Sequence, residues 1–119
     1  MTWLKNRFRY AFSGFRYGML RDKSIRFQFI LALMAIAAGL VLQISLHDWL
    51  WILLAVTLVI MAEIFNSCIE KTIDYISLER NPKAGLIKDL AASAVLVVSG
   101  FAFVTALIIF VPPFLAWFY

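Results

Sequence analysis

A single cysteine, Cys68, leaves the chain without a partner for an intrachain disulfide and without the thiols of a cysteine-based zinc site. Charge is scarce as well: charged side chains make up 15% of the residues against 64% hydrophobic ones, and mean hydropathy is +0.90. A soluble fold of 119 residues has too little interior to hide that much apolar surface, which excludes a small soluble enzyme. No internal repeat or low-complexity segment is present, so the inverted-repeat signature of many transporters is absent. Neither a Walker A sequence nor a glycine-rich kinase loop occurs, and a soluble-type nucleotide fold is therefore excluded too. What is left is a membrane protein held together by lipid and helix packing.

Three long apolar stretches fit that class. Residues 27–46 carry no formal charge and, at about 1.5 Å rise per residue, are long enough to cross a hydrocarbon core of roughly 30 Å. His47 and Asp48 interrupt the run, and residues 49–76 supply a second span with a cytoplasmic extension, broken inside by Glu63 and Asn66. Residues 77–87 read as a polar loop containing Pro82 and Gly85, and residues 88–118 as a third span that passes Pro112 and Pro113. These runs are continuous rather than alternating in polarity, which excludes a β-barrel. The expectation is an all-α, integral membrane three-helix bundle forming one domain over residues 1–119. Residues 1–26 should form an amphipathic surface helix, because basic side chains there alternate with Trp3, Phe8, Tyr10, Phe12 and Phe15.

Basic residues fix the expected orientation. Lys5, Arg7, Arg9, Arg16, Arg21, Lys23 and Arg26 precede the first span, and Lys71, Arg80, Lys83 and Lys88 lie between the second and third. The positive-inside rule then puts the N-terminus and the connection at 77–87 in the cytoplasm, with the His47–Asp48 turn and the C-terminus outside. This asymmetry, with attraction to anionic lipid, accounts for a net charge of +4. No nucleic-acid partner is expected.

The second span holds the chemistry. At about 100° per residue, Glu63, Asn66, Glu70, Asp74 and Ser77 fall within a sector of roughly 80°, while Cys68 points away. Carboxylates on one face repel one another, and an ionisable group inside a membrane segment marks a functional site by default. Two other classes share the feature: a polar seam that only glues helices together, and a proton-relay glutamate in a small proton-coupled transporter. Carboxylates a turn apart suit a hard divalent cation of the kind that rides with substrate phosphates. Lys88 and Asp89 open the third span ahead of the small residues Ala91, Ala92, Ser93 and Ala94, and Lys88 can neutralise phosphate charge. That pair favours phosphoryl transfer over both alternatives.

AEIFNSCIEKTID at 62–74 and KDLAASAVL at 88–96, at this separation on three spans, resemble the small prokaryotic diacylglycerol kinase/undecaprenol kinase family over nearly the whole chain. The resemblance implies a homotrimeric lipid kinase of the bacterial cytoplasmic membrane that uses ATP and Mg²⁺. It implies Glu63 as general base for the lipid hydroxyl and Asn66 as a phosphate-orienting group. Glu70 would be a ligand of the Mg²⁺ that accompanies ATP, and Asp74, Lys88 and Asp89 would hold the nucleotide. The family places a second acidic metal ligand ahead of the first span. Asp22 stands there in place of the usual glutamate, a departure that shortens the reach to the metal by one methylene. Asn81 stands where many members have histidine and is assigned no catalytic role. HDWLWILL at 47–54 and LIIFVPPF at 107–114 resemble the undecaprenol kinase branch, which makes undecaprenol the expected acceptor and diacylglycerol the alternative.

Overall fold

A computed structural model describes residues 1–76 and 81–119, and every element among them is helical: α1 (Thr2–Arg21), α2 (Lys23–Leu42), α3 (Leu46–Ile76) and α4 (Pro82–Ala116). Three of these, α2, α3 and α4, are long and apolar enough to cross a membrane. At about 1.5 Å per residue the 31-residue α3 and the 35-residue α4 outreach a hydrocarbon core, so one end of each projects into the interfacial region.

Local chemistry sets the breaks between helices. Asp22 is extended, with φ −106° and ψ 112°, and its Oδ1 accepts hydrogen bonds from the Ser24 and Ile25 N–H groups at 3.0 and 3.1 Å. It therefore caps α2 by satisfying two otherwise orphaned donors. This cap ends α1 at Arg21 and starts α2 at Lys23, so the helix at the N-terminus is shorter than the 1–26 expected and the second helix begins ahead of the charge-free run. The Arg26 guanidinium reaches back to the Leu20 carbonyl at 2.8 Å, tying the end of α1 to the start of α2.

At the other end of α2, Gln43 adopts the left-handed conformation with φ 54°, and its N–H and that of Ile44 both turn back to the Gly39 carbonyl. The helix thus stops at Leu42, and residues 43–45 of the expected span at 27–46 form the turn instead. Ser45 Oγ accepts from the Asp48 N–H at 3.1 Å and opens α3. The connection expected at 77–87 is also shorter. Asn81 Oδ1 accepts from the Lys83 N–H at 2.9 Å and Pro82 takes the first helical position, so residues 82–87 are helical. Residues 77–80, with Ser77 and Arg80, lie outside the described residues.

The core follows from the stripe that α3 turns inward. Ile52, Ala55 and Val59 are buried on it and continue, at helical spacing, into Glu63, Asn66 and Ser67. α4 packs against α3, and α2 packs against both, with Ala32, Ala91, Thr105 and Ile109 buried in the bundle. Most large apolar side chains point outward, among them Phe27, Leu33, Leu53, Leu96, Val97 and Phe103, as expected where lipid is the solvent.

Gly39 lets the indole of Trp49 pack directly on α2: a Cβ there would lie 2.6 Å from the ring. Gly39→Leu should therefore cost about 1–3 kcal/mol through overpacking. Gly39→Ala should cost less, because alanine returns up to about 1 kcal/mol of helix propensity. Thermal denaturation of the detergent-solubilised variants checks the order.

Candidate functional site

The polar end of the bundle is where the α1–α2 junction, the C-terminal half of α3 and the start of α4 meet. α3 contributes Glu63, Asn66 and Ser67, which retain only 6%, 8% and 7% of their exposure. Glu70 lies one turn further along and is exposed. The Asn66 Nδ2 donates to Glu70 Oε1 at 3.3 Å, while Asn66 Oδ1 is buried with no hydrogen-bond partner among the described residues. A buried carbonyl oxygen left without a donor costs free energy unless something binds it.

The α1–α2 junction brings Asp22 against this face. Asp22 and Glu70 are the charged neighbours of Glu63, and Asn66 is its hydrogen-bonding neighbour. Burial alone would raise the Asp22 carboxyl. The Ser67 hydroxyl, the Ile25 and Ser24 N–H groups and the Lys71 ammonium outweigh it and hold the group below its ordinary value. Asp22 therefore stays ionised at neutral pH, with Oδ1 committed to the α2 cap and Oδ2 left free of it.

Further along α3, Asp74 forms an ion pair with Lys88 of α4. Asp89 is exposed beside Lys88, and among the described residues no hydrogen bond joins it to the cluster. The expected site residues thus fall in two groups, Asp22 with Glu63, Asn66 and Glu70, and Asp74 with Lys88. Ser67 and Lys71 were not expected. Ser67 lies about 40° round the helix from Glu63, at the edge of the polar sector, and a serine carries little signal without the Asp22 that another helix brings to it.

Every donor in the first group is oxygen, which suits a hard cation. Among the described residues no three carboxylate, imidazole or thiol groups close into a cage. The residues therefore fit a cation held by one or two carboxylates that completes its shell with water and phosphate, and the unpartnered Asn66 oxygen is a further oxygen donor on the same helix face.

A family model described as prokaryotic diacylglycerol kinase matches residues 9–110, which takes in both groups. The chain belongs to that family. Among curated proteins it is similar to the undecaprenol kinase of Bacillus subtilis (strain 168), 30% identical over 91 residues that cover 76% of this chain and 74% of the relative. It is also similar to the diacylglycerol kinase of Helicobacter pylori (strain ATCC 700392 / 26695), 31% identical over 88 residues, covering 74% of this chain and 69% of the relative. The Pseudomonas aeruginosa diacylglycerol kinase is 28% identical over 85 residues, 71% of this chain and 69% of the relative. A member of the prokaryotic diacylglycerol kinase family with three membrane-crossing helices is a membrane lipid kinase, so the transporter and the inert polar seam are set aside.

Proposed function

We propose that the chain transfers the γ-phosphate of ATP, with Mg²⁺, to the hydroxyl of a membrane lipid alcohol, undecaprenol first and diacylglycerol second. The observation that carries the reading is a buried carboxylate, Glu63, one turn from the buried Asn66 with its unpartnered oxygen, which in turn lies one turn from the exposed Glu70. Glu63 lies about 10 Å deeper along α3 than Glu70, so a hydroxyl arriving from the bilayer and a nucleotide arriving from water meet between them. Glu63 accepts the hydroxyl proton as the new O–P bond forms. The bond from the γ-phosphorus to the bridging oxygen breaks, and ADP leaves. Asn66 orients the phosphoryl group.

Glu70 and the free Asp22 oxygen would hold Mg²⁺, which neutralises charge on the transferring phosphoryl group when bound. Asp74, Lys88 and Asp89 hold the nucleotide. Lys88 must exchange its Asp74 partner for phosphate oxygens as ATP enters, which keeps its charge at the site without leaving it unpaired beforehand.

Substrate class has its own support. A cavity of about 480 Å³ between α2, α3 and α4, with Ile52, Ala55 and Val59 on its floor, ends one turn from Glu63 and is lined almost wholly by apolar side chains. A hydrocarbon tail seated there leaves its hydroxyl beside the carboxylate. Undecaprenol is favoured by the Bacillus subtilis likeness, and the Helicobacter and Pseudomonas relatives support diacylglycerol as the alternative. The enzyme works as a homotrimer in the bacterial cytoplasmic membrane, with the basic N-terminus and the α3–α4 connection inside and α1 lying in the interface.

Purified protein given labelled ATP and Mg²⁺, with undecaprenol and diacylglycerol offered in parallel, tests the reading. Labelled undecaprenyl phosphate should dominate. Preferential labelling of diacylglycerol reverses the choice of acceptor, and a correctly assembled protein that labels neither ends the proposal.

A further inference from the structure

α1 is poorly packed against the rest of the molecule. Gly18 is its only buried residue, and a gap of about 250 Å³ separates Tyr10, Gly14 and Phe15 from Ile25 and Ile64. Beside the close seat of Gly18 on Ile25, two side-chain contacts hold α1 to α2: the edge-on pair of Phe15 and Phe29, with ring centroids 5.3 Å apart, and the Arg26 bond to the Leu20 carbonyl. A third tie runs to α3. The Lys71 ammonium sits 5.4 Å from the centre of the Tyr17 ring, within cation–π range, and its charge also acts on Asp22.

We infer that Lys71 is a positioning residue for the kinase reaction: it clamps the last turn of α1 onto α3 through Tyr17 and holds the Asp22 carboxylate against the Glu63–Ser67 face. Lys71 lies just beyond Glu70 on α3 and is exposed, so nothing in the core requires a cation there. Asp22 directly follows the last residue of α1, and any swing of that helix moves the carboxylate. Its Oδ1 is fixed by the α2 cap, while the Ser67 hydroxyl and the Lys71 charge act on the same carboxylate from α3. The one-methylene shortening from glutamate to aspartate makes this clamp matter more, because a shorter arm tolerates less movement of the helix that carries it.

The inference rests on Asp22 facing the metal–nucleotide site, so its test has an arm independent of that reading. Amide hydrogen exchange is measured on the full-length protein in nanodiscs without nucleotide, for the parent and for Lys71→Met, Lys71→Arg, Tyr17→Leu and Tyr17→Phe. Exchange over residues 14–21 should quicken by about two- to fivefold in Lys71→Met and Tyr17→Leu, the scale of one exposed cation–π contact. It should stay at the parent rate in Lys71→Arg and Tyr17→Phe, which keep the cation and the ring. Exchange over residues 52–59 should not change in any of them. Unchanged exchange over 14–21 in Lys71→Met and Tyr17→Leu overturns the clamp.

The second arm measures lipid phosphorylation as a function of Mg²⁺. Lys71→Met should raise the half-saturating Mg²⁺ concentration by a similar factor with little change in kcat, and Lys71→Arg should restore it. Faster exchange with an unaltered Mg²⁺ requirement overturns the positioning of Asp22. Absence of lipid phosphorylation in the parent overturns the proposed reaction, and with it the positioning role, while the exchange arm still decides whether the clamp exists.

Discussion

Glu63→Gln should lower lipid phosphorylation by about 10² to 10⁴-fold, the usual scale for loss of a general base, while nucleotide binding survives. The substitution is close to isosteric and keeps an oxygen and a nitrogen for hydrogen bonding, so the packing around this 6%-exposed side chain should hold. What it removes is the ability to take a proton. Asn66, its hydrogen-bonding neighbour, can pair with an amide as readily as with a carboxylate, and the contact from Asn66 Nδ2 to Glu70 does not involve Glu63. The expected signature is a collapse in kcat with little change in the concentration of Mg²⁺-ATP needed for half-saturation. Calorimetric titration with a non-hydrolysable nucleotide should give the parent affinity. Glu63→Asp keeps the proton acceptor but pulls it back by one methylene, and should fall between the parent and Glu63→Gln. A near-normal rate for Glu63→Gln removes Glu63 from the chemistry.

The spans were legible because burial in lipid demands long apolar runs poor in charge, and α2, α3 and α4 each contain one. The inward stripe on α3 was legible for a similar reason: helical periodicity fixes the angle between Glu63, Asn66 and Glu70 whatever surrounds them. Angles on one helix say nothing of what another helix brings. The Asp74–Lys88 pair joins residues on α3 and α4 across a connection, and the nearness of Asp22 to Glu63 depends on the elbow between α1 and α2.

Both departures from the family pattern acquire local explanations. Asp22 and Asn81 are each the N-cap of a following helix, where short side chains bonding back to the backbone outperform longer ones. Reach toward a metal is one demand on Asp22, and the helix cap is a second demand on the same side chain. Helix boundaries at Arg21, Leu42 and Pro82 were missed for the same reason. Hydropathy marks where charge stops, whereas caps and the left-handed Gln43 mark where hydrogen-bonding stops.

Glu70→Ala should act on the other substrate. Glu70 is exposed, and its hydrogen-bond contact within the site is the one donated by Asn66 Nδ2, so its removal should not disturb the fold. Loss of a metal ligand should raise the half-saturating Mg²⁺ concentration by at least about 10- to 100-fold, since even outer-shell partners of a metal carry that much. The concentration of lipid acceptor for half-saturation should move far less, because the apolar cavity ends at Val59, on the far side of Glu63 from Glu70. Glu70→Gln separates two contributions that alanine removes together. It retains an acceptor for Asn66 but loses the charge, so a Mg²⁺ requirement as high as that of Glu70→Ala assigns the effect to the cation, and a requirement near the parent's assigns it to the orientation of Asn66. An unchanged Mg²⁺ dependence in both variants takes Glu70 out of the metal site. The metal-binding role would then rest on Asp22, which has a single oxygen free of the α2 cap. One such oxygen is a weak hold on a divalent ion unless phosphate supplies the rest, and metal binding measured without nucleotide should then be undetectable.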